Sequence, residues 1–430
     1  MIRTDQFLIS ITCFAAFFPW VTLGFLNFGS DIQLYSTLIC TLVLPLVFIS
    51  RLAIRTGFTF TLDKTFYGVL LFIFGCVFSI LMILVKDGVS FDSLRGIFPY
   101  LTAILWIVFV SLVSRDYKKY ILNTIPFAFF IWFIVGLIQL VYNRDFLVSY
   151  LNRTVITSDR GVISLGSEPA YFAMACLCFT IIFFMQKKKV LTFLSFFSLI
   201  FLTRSSAVIF PLLLSMALYW GIPFIRTSTK SNLRFLSVLF IFLIILLFML
   251  FLLFSYDLGF FSGMDSSSRI AKLFSMFATL DFSGLIMDGS FNIRLTHYAG
   301  SLYYFFRDLG MPHGTLMWPE AVTKFSLNSR IFWDTGLNQT TRINSGLGTI
   351  LFEGGWFGVT IFLGLYLILT ANEFSSLKKI LILIILFIFF MSVFSIKIPF
   401  LYVTIMLYCT NKMGDIAVNT KDVSSLKISS

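Results

Sequence analysis

Apolar runs close to twenty residues long, divided by short polar clusters, set the pattern of most of this chain. A helix needs roughly 20 apolar residues to cross the hydrocarbon core of a bilayer, somewhat fewer where neighbours shield it. Read on that length, the runs predict helices over 7–26, 32–50, 66–85, 97–113, 121–142, 169–185, 190–203, 206–225, 235–255, 346–370, 380–395 and 398–411. In 190–225 and 380–411 a short turn must divide one long apolar run into a hairpin. A transmembrane β-barrel would show shorter segments of alternating polarity instead. The predicted fold class is therefore an all-α polytopic membrane protein of about twelve transmembrane helices, with 1–430 forming one integral membrane domain. Arg3 precedes an apolar run that starts at Phe7, without a small-x-small cleavage site, so this run is predicted as a first span rather than a removed signal.

Composition strengthens the membrane reading. Hydrophobic residues make up 58% of the chain and charged residues 12%, with 56 Phe and a mean hydropathy of +0.95. Soluble domains carry about 25% charged residues. The net charge of +12 has no polar basic domain around it, which argues against nucleic-acid binding and for the lysine and arginine bias of cytoplasmic loops. Cys13, Cys40, Cys76, Cys176, Cys178 and Cys409 all sit in apolar runs without metal-ligand spacing, so they are predicted to pack in the core.

Alternate connectors and the two termini carry 18 of the 32 basic residues, including Arg51, Arg55 and Lys64, Arg115, Lys118 and Lys119, Lys187 to Lys189, and Lys378 and Lys379. That face is predicted to be cytoplasmic, with both termini and the polar tail 412–430 on it. The opposite face holds two long connectors, 143–168 and 256–345, and loops of that length usually carry function. Both histidines, His297 and His313, fall in the second connector. Segments 273–282 and 294–306 look amphipathic, suited to lying along the membrane surface.

Four stretches could carry chemistry. In GVISLGSEPAYFAMA (Gly161–Ala175), preceded by Arg160, Glu168 and Pro169 stand where the loop becomes a span. Pro suits the first helical turn, and Glu168 then meets the positive end of the helix dipole. It is either a stabilising N-terminal carboxylate or a catalytic or arginine-orienting one. In LTRSSAVIF (Leu202–Phe210), Arg204 lies between apolar runs with no acid nearby in sequence. It either snorkels to the interface or binds an anion, since a guanidinium matches phosphate oxygens bidentately. In RLTHYAGSLYYFFRDLG (Arg294–Gly310), Arg294 and His297 share a helical face, and Tyr298 and Tyr303 offer sugar-stacking surface. A solvated amphipathic helix is the plainer alternative there, and His313 in MPHG reads as a loop residue.

The fourth stretch is NSGLGTILFEGGWFG (Asn344–Gly358). Its glycines allow a backbone or a ligand to approach closely, and Gly354 and Gly358 have the spacing of packed membrane helices. Glu353 is predicted to face a wet cavity or a basic partner, with Arg342 and Asn344 just ahead of the helix where a headgroup would lie. No P-loop, nucleophile elbow or metal-ligand cluster is present, so the constellation points to a reaction on a lipid-linked anion without cofactor or bound metal.

These stretches together resemble the Wzy-type O-antigen polymerases, within the wider O-antigen ligase and polymerase group. GSEPAYFA is similar to the family's Glu-Pro-Ser stretch, with Ala170 where Ser is usual. TRSS is similar to its Ser-Arg turn, with Thr203 for Ser. Arg294 and Gly310 have the arginine-to-glycine spacing of polymerase loops. Ser345, Gly355 and Gly358 match the ligase signature, but Asn344 stands where ligases have their catalytic His. Asn cannot accept a proton at neutral pH, which favours the polymerase branch. The resemblance covers about 120–370 and implies a GT-C-like glycosyltransferase joining repeat units on undecaprenyl pyrophosphate at the periplasmic face of the inner membrane. It implies Arg204 and Arg294 on pyrophosphate, Arg160, Arg342 and Tyr298 on phosphate or sugar, and Glu168 or His297 as base. The lipid bilayer, a chain-length regulator and a flippase would be its partners. The rival readings are a ligase-type glycosyltransferase and a polysaccharide flippase or other transporter. Polar residues concentrated at the outer boundary, rather than at the bilayer midplane, speak against transport.

Overall fold

A computed structural model describes residues 4–22, 35–53, 64–113, 117–151, 154, 161–205, 289–328, 343, 345–371 and 395–409. The described residues are helical, without strands apart from one isolated bridge between Val21 and Leu151. In chain order the helices are α1 (Thr4–Ala15), α2 (Tyr35–Ala53), α3 (Lys64–Asp87), α4 (Phe91–Val113), α5 (Lys118–Val141), α6 (Pro169–Met185) and α7 (Lys189–Phe197). They continue with α8 (Gly289–Arg307), α9 (Trp318–Asn328), α10 (Gly346–Gly354), α11 (Trp356–Thr370) and α12 (Pro399–Cys409).

Helices α3, α4 and α5 are long and apolar enough to cross a membrane, by length and composition. The faces of α3 show what surrounds it. Its buried positions include Gly68, Gly75, Cys76 and Ser79, whereas Tyr67, Leu70, Phe74, Val77, Leu81 and Val85 are exposed. Small residues inside and large apolar ones outside reverse the arrangement of a water-soluble helix. Such a surface needs an apolar solvent. The small face packs against α11, where a Cβ on Gly75 would stand 2.4 Å from Thr360 Oγ1 and one on Gly364 2.5 Å from Phe72 N. Close backbone approach of this kind is how membrane helices gain packing energy. The glycines of this crossing are Gly68, Gly75 and Gly364. Gly354 meets Ser79 of α3, and Gly358 meets the carbonyl of Ile350 in its own segment.

The rest of the bundle is an aromatic core. Phe17 stacks on Phe179, Trp20 on Tyr171 and Trp132 on Phe172, and Trp132 Nε1 donates to the Phe17 carbonyl at 2.9 Å. The five cysteines described, Cys13, Cys40, Cys76, Cys176 and Cys178, are free and buried in it.

Several boundaries differ from the apolar runs. The first helix ends at Ala15 and gives way to turns, so 7–26 is not one continuous helix. Helix α4 begins at Phe91 rather than 97, because Gly88–Ser90 alone turns the chain and Ser93 Oγ closes that turn onto the Gly88 carbonyl. The run 346–370 is two helices broken at Gly355, and 398–411 opens as α12 at Pro399. The runs 206–225 and 235–255, the segment 273–282, and 380–395 short of Ser395 lie outside the described residues.

Direction follows from the contacts. Helix α3 meets α11 head to tail, α4 returns through the short turn after Asp87, and α5 and α6 run antiparallel. Asp87, the C-terminus of α5, the N-terminus of α6 and the chain after α7 therefore gather at one end of the bundle. We call it the Asp87 end.

Candidate functional site

At the Asp87 end an irregular strap, Gly161–Ser167, is buried between α5 and the turn after α7. Buried backbone needs partners, and Gln139 of α5 supplies them. Its Oε1 accepts from Ser164 N at 2.6 Å, and its Nε2 donates to the carbonyls of Ser164 at 3.0 Å and Phe146 at 2.9 Å. Ser164 Oγ adds a 2.6 Å bond to the Trp132 carbonyl. At the other edge, Val162 N donates to the Leu202 carbonyl at 3.0 Å, and a Cβ on Gly161 would stand 2.1 Å from the Thr203 carbonyl oxygen. The strap thus fixes three segments together: the loop 142–147, itself, and the turn 202–205.

That turn carries Arg204. Ser198–Leu202 forms a π turn closed by Thr203 N on the Ser198 carbonyl at 3.1 Å. Such turns recur at functional positions. Arg204 follows at φ +45, a left-handed conformation that costs a non-glycine residue on the order of 1–3 kcal/mol. Its side chain is half-buried. Burial first, and then the like charge of Arg144, hold its guanidinium below its ordinary pKa. Among the described residues no carboxylate is ion-paired with it. Two arginines far apart in sequence therefore share one neighbourhood, an arrangement that suits a multiply charged anion.

Glu168 lies at the head of the same segment, as the N-cap residue of α6 with Pro169 in the first turn. Its side chain makes no cap bond and is half-exposed, while its carbonyl accepts from Tyr171 N. The carboxylate thus stands at the positive end of the helix without being consumed by it.

The other sequence-predicted residues belong to a second cluster. Helix α8 packs alongside α10: a Cβ on Gly348 would meet Ser301 Oγ at 2.6 Å, Tyr304 meets Phe352, and Gly355 meets the Gly310 carbonyl. Segment 294–306 runs parallel to α10, a packing that the glycines of α10 permit. Arg294 is in the first half of α8. His297 is fully buried, its ring edge-on to Trp318 at 5.2 Å, and Tyr298 beside it is half-buried. Arg160 and Arg342 lie outside the described residues, as does Asn344.

Gly355 breaks the predicted span. It sits at φ +57 and ψ −130, where only glycine is comfortable, and Trp356 N donates to the Gly310 carbonyl at 3.0 Å. Gly310 is itself at φ +72 against Trp356. The glycines of two separate sequence stretches, Gly310 and Gly355, thus meet backbone to backbone. Ser345 caps α10 through Gly348 N at 2.9 Å, and Glu353 Oε2 accepts from Tyr100 Oη at 2.8 Å. A phenol is a partner for Glu353 that the sequence did not suggest.

His313 is more than a loop residue. Its N–H bonds the Phe352 carbonyl, its ring stacks on Phe352 at 4.6 Å, and its Nε2 lies 2.7 Å from Asp308 Oδ2. Asp308 also takes two 2.7 Å bonds from Arg307, whose guanidinium lies over the Tyr304 ring at 4.3 Å. His313 Nδ1 and Trp318 Nε1 are buried without a hydrogen-bond partner among the described residues. Among those residues no group of three or more His, Cys, Asp and Glu side chains converges to hold a metal ion.

The structure thus brings Glu168 and Arg204 to opposite edges of one strap and sets His297, Tyr298 and the backbone of Arg294 on one helix. No hydrogen bond or ion pair among the described residues joins the two sets. Sequence reading passed over Arg144 and Gln139. A polar glutamine inside an otherwise apolar run was the available signal for the second. No protein-family model matches the chain, and no curated protein matches it significantly.

Proposed function

We propose that this protein is an O-antigen polymerase of the Wzy kind, a GT-C-like membrane glycosyltransferase of about twelve spans in the bacterial inner membrane. The observation that carries this reading is the setting of Arg204: left-handed backbone, half-buried side chain, no ion-paired carboxylate of its own among the described residues, and the like charge of Arg144 nearby. A strained arginine with a second arginine nearby, at the end of a lipid-facing bundle, suits a lipid-linked pyrophosphate. In this reading the Asp87 end is periplasmic.

The reaction joins oligosaccharide repeat units carried on undecaprenyl pyrophosphate. A sugar hydroxyl of the incoming unit bonds to the anomeric carbon of the growing chain. The bond from that carbon to pyrophosphate breaks, and the electron pair leaves with the carrier. The leaving group is good, so the main task is to neutralise charge by preorganised donors. Arg204 and Arg144 do so from the two segments that the strap joins, and Arg294 does so from α8, with Arg160 and Arg342 on phosphate or sugar. The hydroxyl proton goes to a base within hydrogen-bond reach. Glu168, half-exposed and free of a cap bond, serves better than the enclosed His297, which positions α8 against Trp318. Tyr298 offers a stacking face to the glycan. A chain-length regulator and a flippase act with the enzyme.

The test is a lipopolysaccharide gel from a strain lacking this chain, complemented with wild type, Arg204→Ala or Arg294→Ala. Loss of the ladder with core bearing one repeat unit, restored by wild type but by neither variant at equal protein level, supports the proposal. Core without any repeat unit would indicate ligase or flippase instead. A full ladder from both variants would sink the residue assignment.

A further inference from the structure

We propose that the end of α8 and the turn after it, Phe306–Met311, form a re-entrant element seated in the bilayer hydrocarbon, with phospholipid acyl chains as its partner. The inference is independent of the reaction. It begins with depth. Trp356 Nε1 donates to the Leu309 carbonyl at 2.8 Å and Trp356 N to the Gly310 carbonyl at 3.0 Å, so this turn is fixed to the start of α11. The next residue, Phe357, stacks on Phe78 of α3 at 4.9 Å. From Phe78 to the helix end at Asp87 is a rise of about 13 Å. The turn therefore lies well inside the span of α3.

The way out agrees with that depth. The chain from Met311 to Gly314 is irregular, and at Thr315 it meets Asp87, whose Oδ2 accepts from Thr315 N and Oγ1, each at 2.7 Å. Four extended steps from residue 311 to 315 cover about 13 Å. Helix α8 thus descends beside α10, turns opposite the middle of α3, and climbs back to Asp87 within a few irregular residues.

The surface of the turn matches hydrocarbon. Phe306 is 71% exposed, Leu309 81%, Met311 65% and Trp356 60%. They continue the exposed apolar stripe of α3 at Phe74, Val77 and Leu81. The ionic groups alongside are compensated: Arg307 is paired in two bonds with Asp308, and Asp308 with His313. Helix α9, past the Asp87 contact, exposes its ion pair between Glu320 and Lys324 more fully than the turn exposes Arg307 and Asp308.

The experiment places a bimane label at Leu309→Cys, Met311→Cys or Leu327→Cys in the full chain. The protein is reconstituted in phosphatidylethanolamine and phosphatidylglycerol vesicles, with background from the unsubstituted protein subtracted. Lipids brominated at mid-chain should quench labels at 309 and 311 at least twofold more than at 327, and aqueous iodide should do the reverse. Iodide quenching at 311 equal to that at 327 overturns the proposal. So does a label at 311 that neither quencher reaches, which would mean protein covers the turn. Met311→Cys keeps the test decisive if Leu309→Cys, at φ +53, does not fold.

Discussion

The strap at Gly161–Ser167 is polar backbone carried into an apolar bundle, and side chains hold it: Gln139 meets three of its neighbours' backbone groups and Ser164 a fourth. The junction of α8, α10 and α11 is the opposite case. There, side chains are removed: Gly355 lets backbone touch backbone at Gly310, Gly348 makes room for Ser301, and aromatic rings close around the junction. The first region should fail when a hydrogen-bonding group is lost. The second should fail when an atom is added.

Adding one methyl group gives the largest effect. Gly355→Ala puts a Cβ 2.2 Å from the Gly310 carbonyl oxygen at a φ of +57. We expect a loss of roughly 4 kcal/mol, read as a lowered thermal midpoint in detergent. A variant that melts with wild type would refute the close contact. Removing a polar group comes next. Gln139→Leu keeps the volume but strips the strap of its partners, costing roughly 2–3 kcal/mol. The midpoint should fall and the proposed polymer ladder shorten. An unchanged midpoint would mean that Gln139 does not hold the strap. Tyr100→Phe removes the bond to Glu353 at a cost of roughly 1–2 kcal/mol by the same melt. A smaller loss than that of Gln139→Leu would separate a single bond from a shared hub.

The last prediction has the opposite sign. Arg204→Gly relieves the left-handed backbone and removes one of two neighbouring like charges. Stability should rise by roughly 1 kcal/mol while the proposed polymerisation is lost. Equal falls in both would make Arg204 a structural residue. Function that costs stability is the pattern expected of a strained site.

Much of this was legible along the chain. The apolar runs predicted α3, α5 and α6 closely, because a helix in hydrocarbon must be long and apolar whatever it packs against. The Glu168–Pro169 start of α6 was readable too, since Pro in a first turn needs no partner. The kink at Gly355 was not. A glycine pair in an apolar run serves a straight crossing or a break equally well, and the carbonyl of Gly310 decides between them. Nor was the neighbour of Arg204 readable, because Arg144 lies in a different loop, distant in the chain, and only the fold brings the two charges near.

The sequence by itself determined the helical, apolar character of the chain and the approximate course of α3, α5 and α6, for these follow from local hydropathy and local geometry. The tertiary structure alone decided that Arg144 joins Arg204, that Glu353 meets Tyr100, and that α8 descends beside α10. Each of these depends on a contact between residues distant in the chain, fixed by a backbone hydrogen bond or a missing Cβ that no local pattern records.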